Sequence, residues 1–306
     1  MISVIIPAFN EANYINKTLS TLDRFVQNND VEVIVVDNGS SDKTADICSQ
    51  FKWVKLIQLN CRTTVADARN IGVAQSSGQC LVFIDADILV TEKWFLAVSN
   101  FAESIEFNDL IVTGNKVSVS QDPSWIETGW FACLKNTSAS YINSGNLVCS
   151  KKLFNSIEGF NKLLKTGEDV DFCERAKKHG AQVKPDQEFF VYHEGYPKTL
   201  KAFFVRERWH GIGDTQSIGK FISSKVAVLS LFVALLTGCF LLAVIFGLYS
   251  YALLILSGLG LINFAVLLVR LKITSVSQFV SSLALNYIYL LARFTSIFSH
   301  RQNRIR

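Results

Sequence analysis

The chain has 306 residues, 49% hydrophobic and 18% charged, with only four prolines. This excludes a disulfide-stapled miniprotein, a disordered chain and a collagen-like fibre, and it leaves apolar material for a large core. Residues 1–225 carry 24 basic against 26 acidic side chains, whereas residues 226–306 carry six basic and no acidic ones, so the net charge of +4 belongs to the tail and is no footprint for nucleic acid.

The opening run Ile2 to Ile6 has no basic residues before it and is too short for a secretory leader, so it reads as a strand. Short apolar runs rich in Val and Ile recur at 2–6, 31–36, 54–59 and 80–84. Between them lie stretches with helical spacing: Ile15, Leu19, Leu22 and Val26, then Ala45, Cys48 and Phe51, then Val65, Ala68, Ile71 and Val73. Strand and helix in alternation predict an α/β fold, a mostly parallel sheet with helices on both faces. Ligands of such sheets bind beyond the carboxyl ends of the strands, and here those ends carry Pro7 to Asn10, Asp37 to Ser40, and Asp85-Ala86-Asp87. The seven cysteines, 48, 61, 80, 133, 149, 173 and 239, include no CxxC pair, which favours reduced thiols facing a reducing cytosol.

Asp85 and Asp87 stand two residues apart where a strand runs out, so both carboxylates can approach one point. Two hard oxygen donors suit Mg²⁺ or Mn²⁺, which also bind phosphates. A lone Asp-x-Asp is also a common helix-capping turn. The phosphatase pattern Asp-x-Asp-x-Thr/Val fails because Leu89 holds its last position and the motif follows the fourth strand. A dehydrogenase would need Gly-x-Gly-x-x-Gly after the first strand, where Pro7-Ala8-Phe9-Asn10 stands instead, and the Gly-rich, Arg-containing loop of a nucleotide-sugar pyrophosphorylase is missing at the same place.

Five segments in order, Ser3 to Glu11, Val35 to Asp42, Ala68-Arg69-Asn70-Ile71-Gly72, Asp85-Ala86-Asp87 and Gly167-Glu168-Asp169, make residues 1–215 resemble an inverting family 2 glycosyltransferase of the GT-A (nucleotide-diphospho-sugar transferase) fold. The resemblance implies that Pro7, Ala8, Asn10, Glu11 and Asp37 cradle the base and ribose of a UDP- or GDP-sugar, with Arg69, Asp85, Ala86 and Glu168 completing the donor site. A carboxylate such as Asp37 can accept from a uracil or guanine N–H. It further implies that Asp87 with Asp85 holds a divalent cation, Mg²⁺ or Mn²⁺, that His193 adds a third ligand, and that Gly145 and Asn146 line the sugar pocket. Asp169 falls in the position of the base that deprotonates the acceptor, and its place in a helix first turn would keep it ionised. Each segment has a plain structural reading as well: an Asx turn at Asp37 to Asp42, a surface arginine at 69, a Gly-Asn turn at 145–146, a structural histidine at 193 and ordinary acidic helix starters at 168–169.

From Val226 to Val269 there are 44 residues without a charge, twice what one membrane span requires. The break at Gly247 to Ser250 predicts a helical hairpin of about 226–246 and 251–269. Lys220 and Lys225 before it, with Arg270 and Lys272 after it, put both ends in the cytoplasm by the positive-inside rule. The segment 276–298 contains Gln278, Asn286 and Arg293 and reads as interfacial, with a third span left open. Phe203, Phe204 and Trp209 read as an aromatic, basic helix on the membrane surface. The stretch Arg206 to His210 resembles the Gln-x-x-Arg-Trp box of processive synthases, but Val205 replaces the Gln, so transfer of one sugar is expected.

The expected organisation is a catalytic domain over 1–222 and a membrane anchor over 223–306, the catalytic part facing the cytoplasm at a bacterial inner membrane, with membrane lipids and a lipid-linked or glycan acceptor as partners. The alternative is a membrane-tethered nucleotide-sugar-binding or scaffold protein without turnover, which metal-dependent donor hydrolysis would distinguish.

Overall fold

A computed structural model of the chain describes residues 1–27, 30–107, 109–115, 117–134, 141–164, 166–215 and 217–301; Arg304 and Arg306, counted in the basic tail above, lie outside these. The first half alternates β1 (Ile2–Ala8), α1 (Ile15–Val26), β2 (Val31–Asp37), α2 (Thr44–Cys48), β3 (Val54–Gln58), α3 (Val65–Ala74) and β4 (Cys80–Ile84). There follow β5 (Ile88–Val90), α4 (Glu92–Glu103), β6 (Ile111–Gly114), β7 (Asn146–Ser150), α5 (Lys151–Ser156), α6 (Glu168–Lys178), β8 (Gln182–Pro185) and β9 (Val191–His193). Helices α7 (Leu200–Gly211), α8 (Ile218–Ser223), α9 (Lys225–Ile245), α10 (Tyr249–Arg270) and α11 (Val276–Thr295) complete the chain.

Two compact units emerge. Met1–Gln121 with Asn136–Gly195 forms the first, and Asp122–Lys135 with Tyr196–Arg306 the second. Residues 122–135 and 196–222 thus group with the helical tail. The reason is packing: in a π-helical turn, Glu127–Phe131, Trp130 and Phe131 meet Phe203 of α7 edge to face at ring distances of 5.7 and 6.0 Å. Phe203 is fully buried, which corrects its expected place on a membrane surface, while Trp209 remains half exposed.

The first unit is built on a seven-stranded sheet of order β3-β2-β1-β4-β7-β6-β8. All neighbours are parallel except that β7 runs against both β4 and β6. Alternation along the strands divides the core between the two faces. Val4, Ile6, Val33 and Val35 pack with Leu19, Leu22 and Phe25 of α1 and Trp94 and Val98 of α4. Ile5, Leu81 and Phe83 pack on the other side with α5 and α6 through Phe154, Phe172 and Cys173. Helix α3 lies so close to β1 that a Cβ at Gly72 would come within 2.6 Å of Ile5, so only glycine fits there. The second sheet, β5 paired antiparallel with β9, has no signature in the sequence, because three-residue strands carry too little periodicity to read.

In the second unit, α9 and α10 form an antiparallel-sequence hairpin that turns at Phe246 to Leu248. Gly247 adopts φ 72° and Leu248 N–H donates to the Ala243 carbonyl at 2.8 Å, a left-handed helix stop. Most of the hairpin's large side chains are exposed, Leu235, Leu241, Leu253, Leu254, Leu261 and Leu268 among them. Helix α11 packs against both of them and also along α7 and the π-helical turn. Its Ser282 hydroxyl donates to the Gly129 carbonyl, Tyr289 lies on Trp130 at 5.1 Å, and Arg293 reaches Glu207 and Asp214. Contacts spread along α11 from 282 to 293 to the same two elements leave it lying lengthwise on them.

All seven cysteines are free thiols. Asn146, at the start of β7, is completely buried: its carbonyl accepts from Trp94 Nε1 at 2.9 Å and its amide donates to the Phe189 carbonyl at 2.7 Å. Its polar atoms are therefore engaged within the core. Asn146→Ala is expected to lower the unfolding free energy by about 2 kcal/mol or more, because it strands a buried indole N–H; urea denaturation checks this, and an unchanged midpoint would refute it.

Candidate active site

The parallel register aligns Ala8 with Asp37, so the ends of β1 and β2 face one another. Asn10, left-handed at φ 58°, ties the two loops: its N–H donates to Ser40 Oγ at 2.9 Å and its Oδ1 accepts from Ser41 N–H at 2.8 Å. Glu11 N–H donates to Thr44 Oγ1 at 2.8 Å. Asp37 is buried and accepts from Ser40 N–H at 3.2 Å, so the Asx-type turn is present together with a carboxylate at the strand end. Asn38 clasps Thr63 through both its amide atoms, at 3.0 and 2.8 Å, and Arg62 then lies over the Phe9 ring at 3.9 Å.

At the end of β4, Asp85 is fixed by Arg69 of α3. The arginine is 2% exposed, and its guanidinium donates to Asp85 at 2.7 Å and to Glu168 at 2.9 Å. Glu168 also accepts from Ser144 Oγ at 3.1 Å. The antiparallel pairing of β7 sets Asn146 opposite Ile84, which brings the preceding residues beside Asp85. A Cβ at Gly145 would come within 2.5 Å of Asp85 Oδ2. Asn143 Oδ1 accepts from Gly145 N–H at 2.7 Å, and its amide donates to Asp169 Oδ2 at 3.2 Å. Asp37, Asp85 and Asp169 thus stand at one rim of the sheet, the last two joined through Arg69 and Glu168 and again through Asn143 and Gly145. The Ala86 carbonyl accepts from Thr18 of α1 at 2.7 Å, which pins the turn between the two aspartates. Pro7 is the penultimate residue of β1, before Ala8.

Asp87 and His193 meet across the small sheet, where Ile88 is paired with His193. His193 Nε2 lies 3.3 Å from Asp87 Oδ2, and Glu194 N–H donates to the Asp87 carbonyl at 2.9 Å. Gly195 packs so tightly on this carboxylate that any Cβ there would overlap Asp87 Oδ2.

The electrostatics are dominated by excess negative charge. Burial, then Asp87, Asp85 and Asp42, push Glu11 up to about 8. Burial, then Glu168, push Asp169 up to about 6, against the opposing effects of the Val170 N–H and Arg69. The helix first turn therefore does not hold Asp169 at an ordinary carboxylate value; desolvation outweighs the dipole. Among the described residues no three His, Cys, Asp or Glu form a ready-made metal cage. Mg²⁺ and Mn²⁺ take only one or two carboxylates when phosphates supply the rest, and the Asp87–His193 pair inside the field that raises Glu11 fits such a cation.

Asn143, Arg62 and Thr63 were not singled out in the sequence. Asn143 opens the small polar run Asn143 to Asn146, a signal that could have marked it; nothing in the spacing marks Arg62.

A family model described as "Glycosyl transferase family 2" matches residues 3–167, more than half of the chain. Among curated proteins, the pre-mycofactocin glycosyltransferase of Mycobacterium tuberculosis is 23% identical over 225 residues, covering 69% of this chain and 46% of that protein. The glycosyltransferase AglE of Haloferax volcanii is 40% identical over 99 residues, 30% of this chain and 32% of that one. The chain thus spans less than half the length of these relatives. The crystal structure of S. aureus TarS residues 1–349 in complex with UDP-GlcNAc superposes with a TM-score of 0.50 at 19% identity, covering 73% of this chain and 67% of that one, a likeness of fold. On the family match, the chain belongs to glycosyl transferase family 2.

Proposed function

We propose that this protein is a glycosyltransferase that moves one sugar from a nucleoside-diphosphate sugar, UDP- or GDP-linked, to a hydroxyl or phosphate acceptor with inversion. The observation that carries this reading is the convergence at the strand ends of Asp85 and Glu168 on one buried arginine, with Asp169 next to Glu168 and held by Asn143. TarS, of like fold, has been crystallised with UDP-GlcNAc, which supports a nucleotide-sugar donor.

In this reading Asp37 and the loop Pro7 to Glu11 receive the base and ribose. Asp85, its carboxylate oriented by Arg69, borders the donor beside Gly145. Asp87, with Asp85 and His193, would hold Mg²⁺ or Mn²⁺, which when bound neutralises the charge developing on the departing diphosphate. Asp169 takes the proton from the acceptor as the acceptor oxygen bonds the anomeric carbon and the bond from that carbon to the diphosphate oxygen breaks. Attack opposite the leaving group inverts the centre, and no enzyme-bound glycosyl is needed. A base near 6 is matched to neutral pH, since it is ionised there yet basic enough to accept. Asn146, engaged in the core, contributes through the position of β7.

The anchor reading rests on α9 and α10, each long and apolar enough to cross a bilayer and mostly exposed. Soluble surfaces do not expose patches of this size. We read the hairpin as inserted from the cytoplasmic side of a bacterial inner membrane, with α11 at the interface along α7. Such an anchor confines the active site to the layer holding a lipid-linked or envelope-glycan acceptor. The scaffold alternative is favoured by no feature of the site.

Three outcomes test the chemistry. Asp169→Asn is expected to lower kcat by about 10²–10⁴-fold, the usual worth of a general base, while a thermal shift with UDP or GDP persists; full turnover in this variant would remove Asp169 from the mechanism. Because the folded carboxyl lies near 6, activity must fall as pH drops through 6, approaching tenfold per unit below it; kcat/KM flat from pH 7 to 5 would contradict this. Gly195→Ala, which drives a methyl into Asp87, is expected to weaken Mn²⁺-dependent binding of the nucleoside diphosphate at least tenfold, read by calorimetry with and without Mn²⁺, whereas equal affinities would free Asp87 from any metal role.

A further inference from the structure

Every acidic residue of the chain precedes position 226, so the basic residues at the ends of the apolar hairpin have no local carboxylates. Lys225 opens α9, Arg270 closes α10 and Lys272 follows it, and all three mark the same end of the antiparallel pair. Arg293 is compensated by Glu207 and Asp214 at 3.3 and 3.2 Å. Arg270 differs. Its guanidinium lies 4.2 Å from the Tyr289 ring centre and 5.2 Å from that of Trp130. Among the described residues it makes no ion pair, and its Nη1, shielded from water, meets no hydrogen-bond acceptor. Two aromatic faces fix the plane and direction of the fork. They offer it no acceptor. A guanidinium held so, only partly buried, without an ion pair among the described residues and with no acid in the last 81 residues, is placed to receive an anion on the accessible side of its fork, whose planar shape matches a phosphate.

The depth identifies the anion. Arg270 is the last residue of a 22-residue apolar helix, so it stands where hydrocarbon gives way to headgroups, and Trp and Tyr are at home at that level. We propose that Arg270, framed by Trp130 and Tyr289, binds the phosphate of an anionic membrane lipid. This rests on the hairpin being membrane-inserted. Lys225 and Lys272 supply the surrounding positive potential that draws anionic lipid to the same end. The site is separate from the acidic cluster at the strand ends, since it involves neither those residues nor a sugar.

The test uses the full chain in nanodiscs of phosphatidylcholine mixed equally with phosphatidylglycerol, with lipids retained on extraction counted by native mass spectrometry. Wild type is expected to retain phosphatidylglycerol over phosphatidylcholine, Arg270→Gln to lose that preference about tenfold, the usual worth of a charge-assisted hydrogen bond, and Arg270→Lys to lose part of it, since charge remains without the fork. Lys272→Gln, removing equal charge outside the aromatic frame, is expected to change it less than about twofold. Equal retention by wild type and Arg270→Gln, or an equal loss in Lys272→Gln, would overturn the site while leaving the anchor intact. Displacement of the lipid by millimolar inorganic phosphate would assign Arg270 to free phosphate and overturn the lipid. A wild-type chain that stays in solution when offered vesicles of either composition would overturn the anchor, and the site with it.

Discussion

A cation buried in the middle of an α/β sheet's ligand edge is the constraint from which this site follows. Arg69 is 2% exposed, and a guanidinium buried this completely needs compensating charge; stripping one partner from such an arrangement costs about 3–5 kcal/mol. Asp85 at the end of β4 and Glu168 at the start of α6 meet that demand. One side chain thereby joins elements nearly a hundred residues apart, and Asp169, next to Glu168, arrives at the strand ends as a consequence. The same arrangement explains why Asp169 is a weaker acid than its helix position suggests, because Glu168 and burial act on it together.

The second constraint is a reversal in the sheet. Strands β1 to β4 run parallel and deliver Ala8, Asp37 and Asp85 to one edge. Because β7 runs the other way, its beginning rather than its end lies at that edge, and the segment Asn143 to Gly145 enters the site from the opposite direction. The closeness of Gly145 to Asp85, and of Gly195 to Asp87, leaves no room for a side chain at either point. Both aspartates are thus backed by bare backbone.

The helical unit is patterned differently. Its hairpin buries few side chains and exposes many leucines, while polar groups are directed inward: Asn263 donates to the Leu283 carbonyl, Asn286 donates to Asn263, and Thr237 meets Tyr287. Pairing of this kind satisfies the polar groups of an apolar helix from within the protein, without water. Arg270 at the end of α10 and Arg206 of α7 rest on aromatic rings, where a cation keeps a favourable contact without a full hydration shell.

Much of this was legible from residue order alone. Runs of Val and Ile at 2–6, 31–36, 54–59 and 80–84 coincide with β1 to β4 because strands buried on both faces, as β1 and β4 are, read as near-continuous apolar runs, while β3 at the sheet edge alternates with exposed Lys55 and Gln58. The uncharged stretch 226–269 contains α9 and α10 almost to the residue, since 44 residues without charge admit few other structures, and the acidic pairs 85/87 and 168/169 stand out by spacing. Other features depend on partners distant in the chain and had no local signature. The pairing of β5 with β9, which brings His193 to Asp87, involves strands too short to show a period. Phe203 reads as an exposed aromatic until Trp130 is seen against it, and Asn146 reads as a pocket residue until Trp94 and Phe189 are seen to occupy it. Residue order determined which elements form and which carboxylates end them, because those are set by periodicity and local chemistry. Only the tertiary structure decided which carboxylates share a counter-ion and how strongly each holds its proton, because burial and through-space charge are properties of neighbours that the sequence does not list.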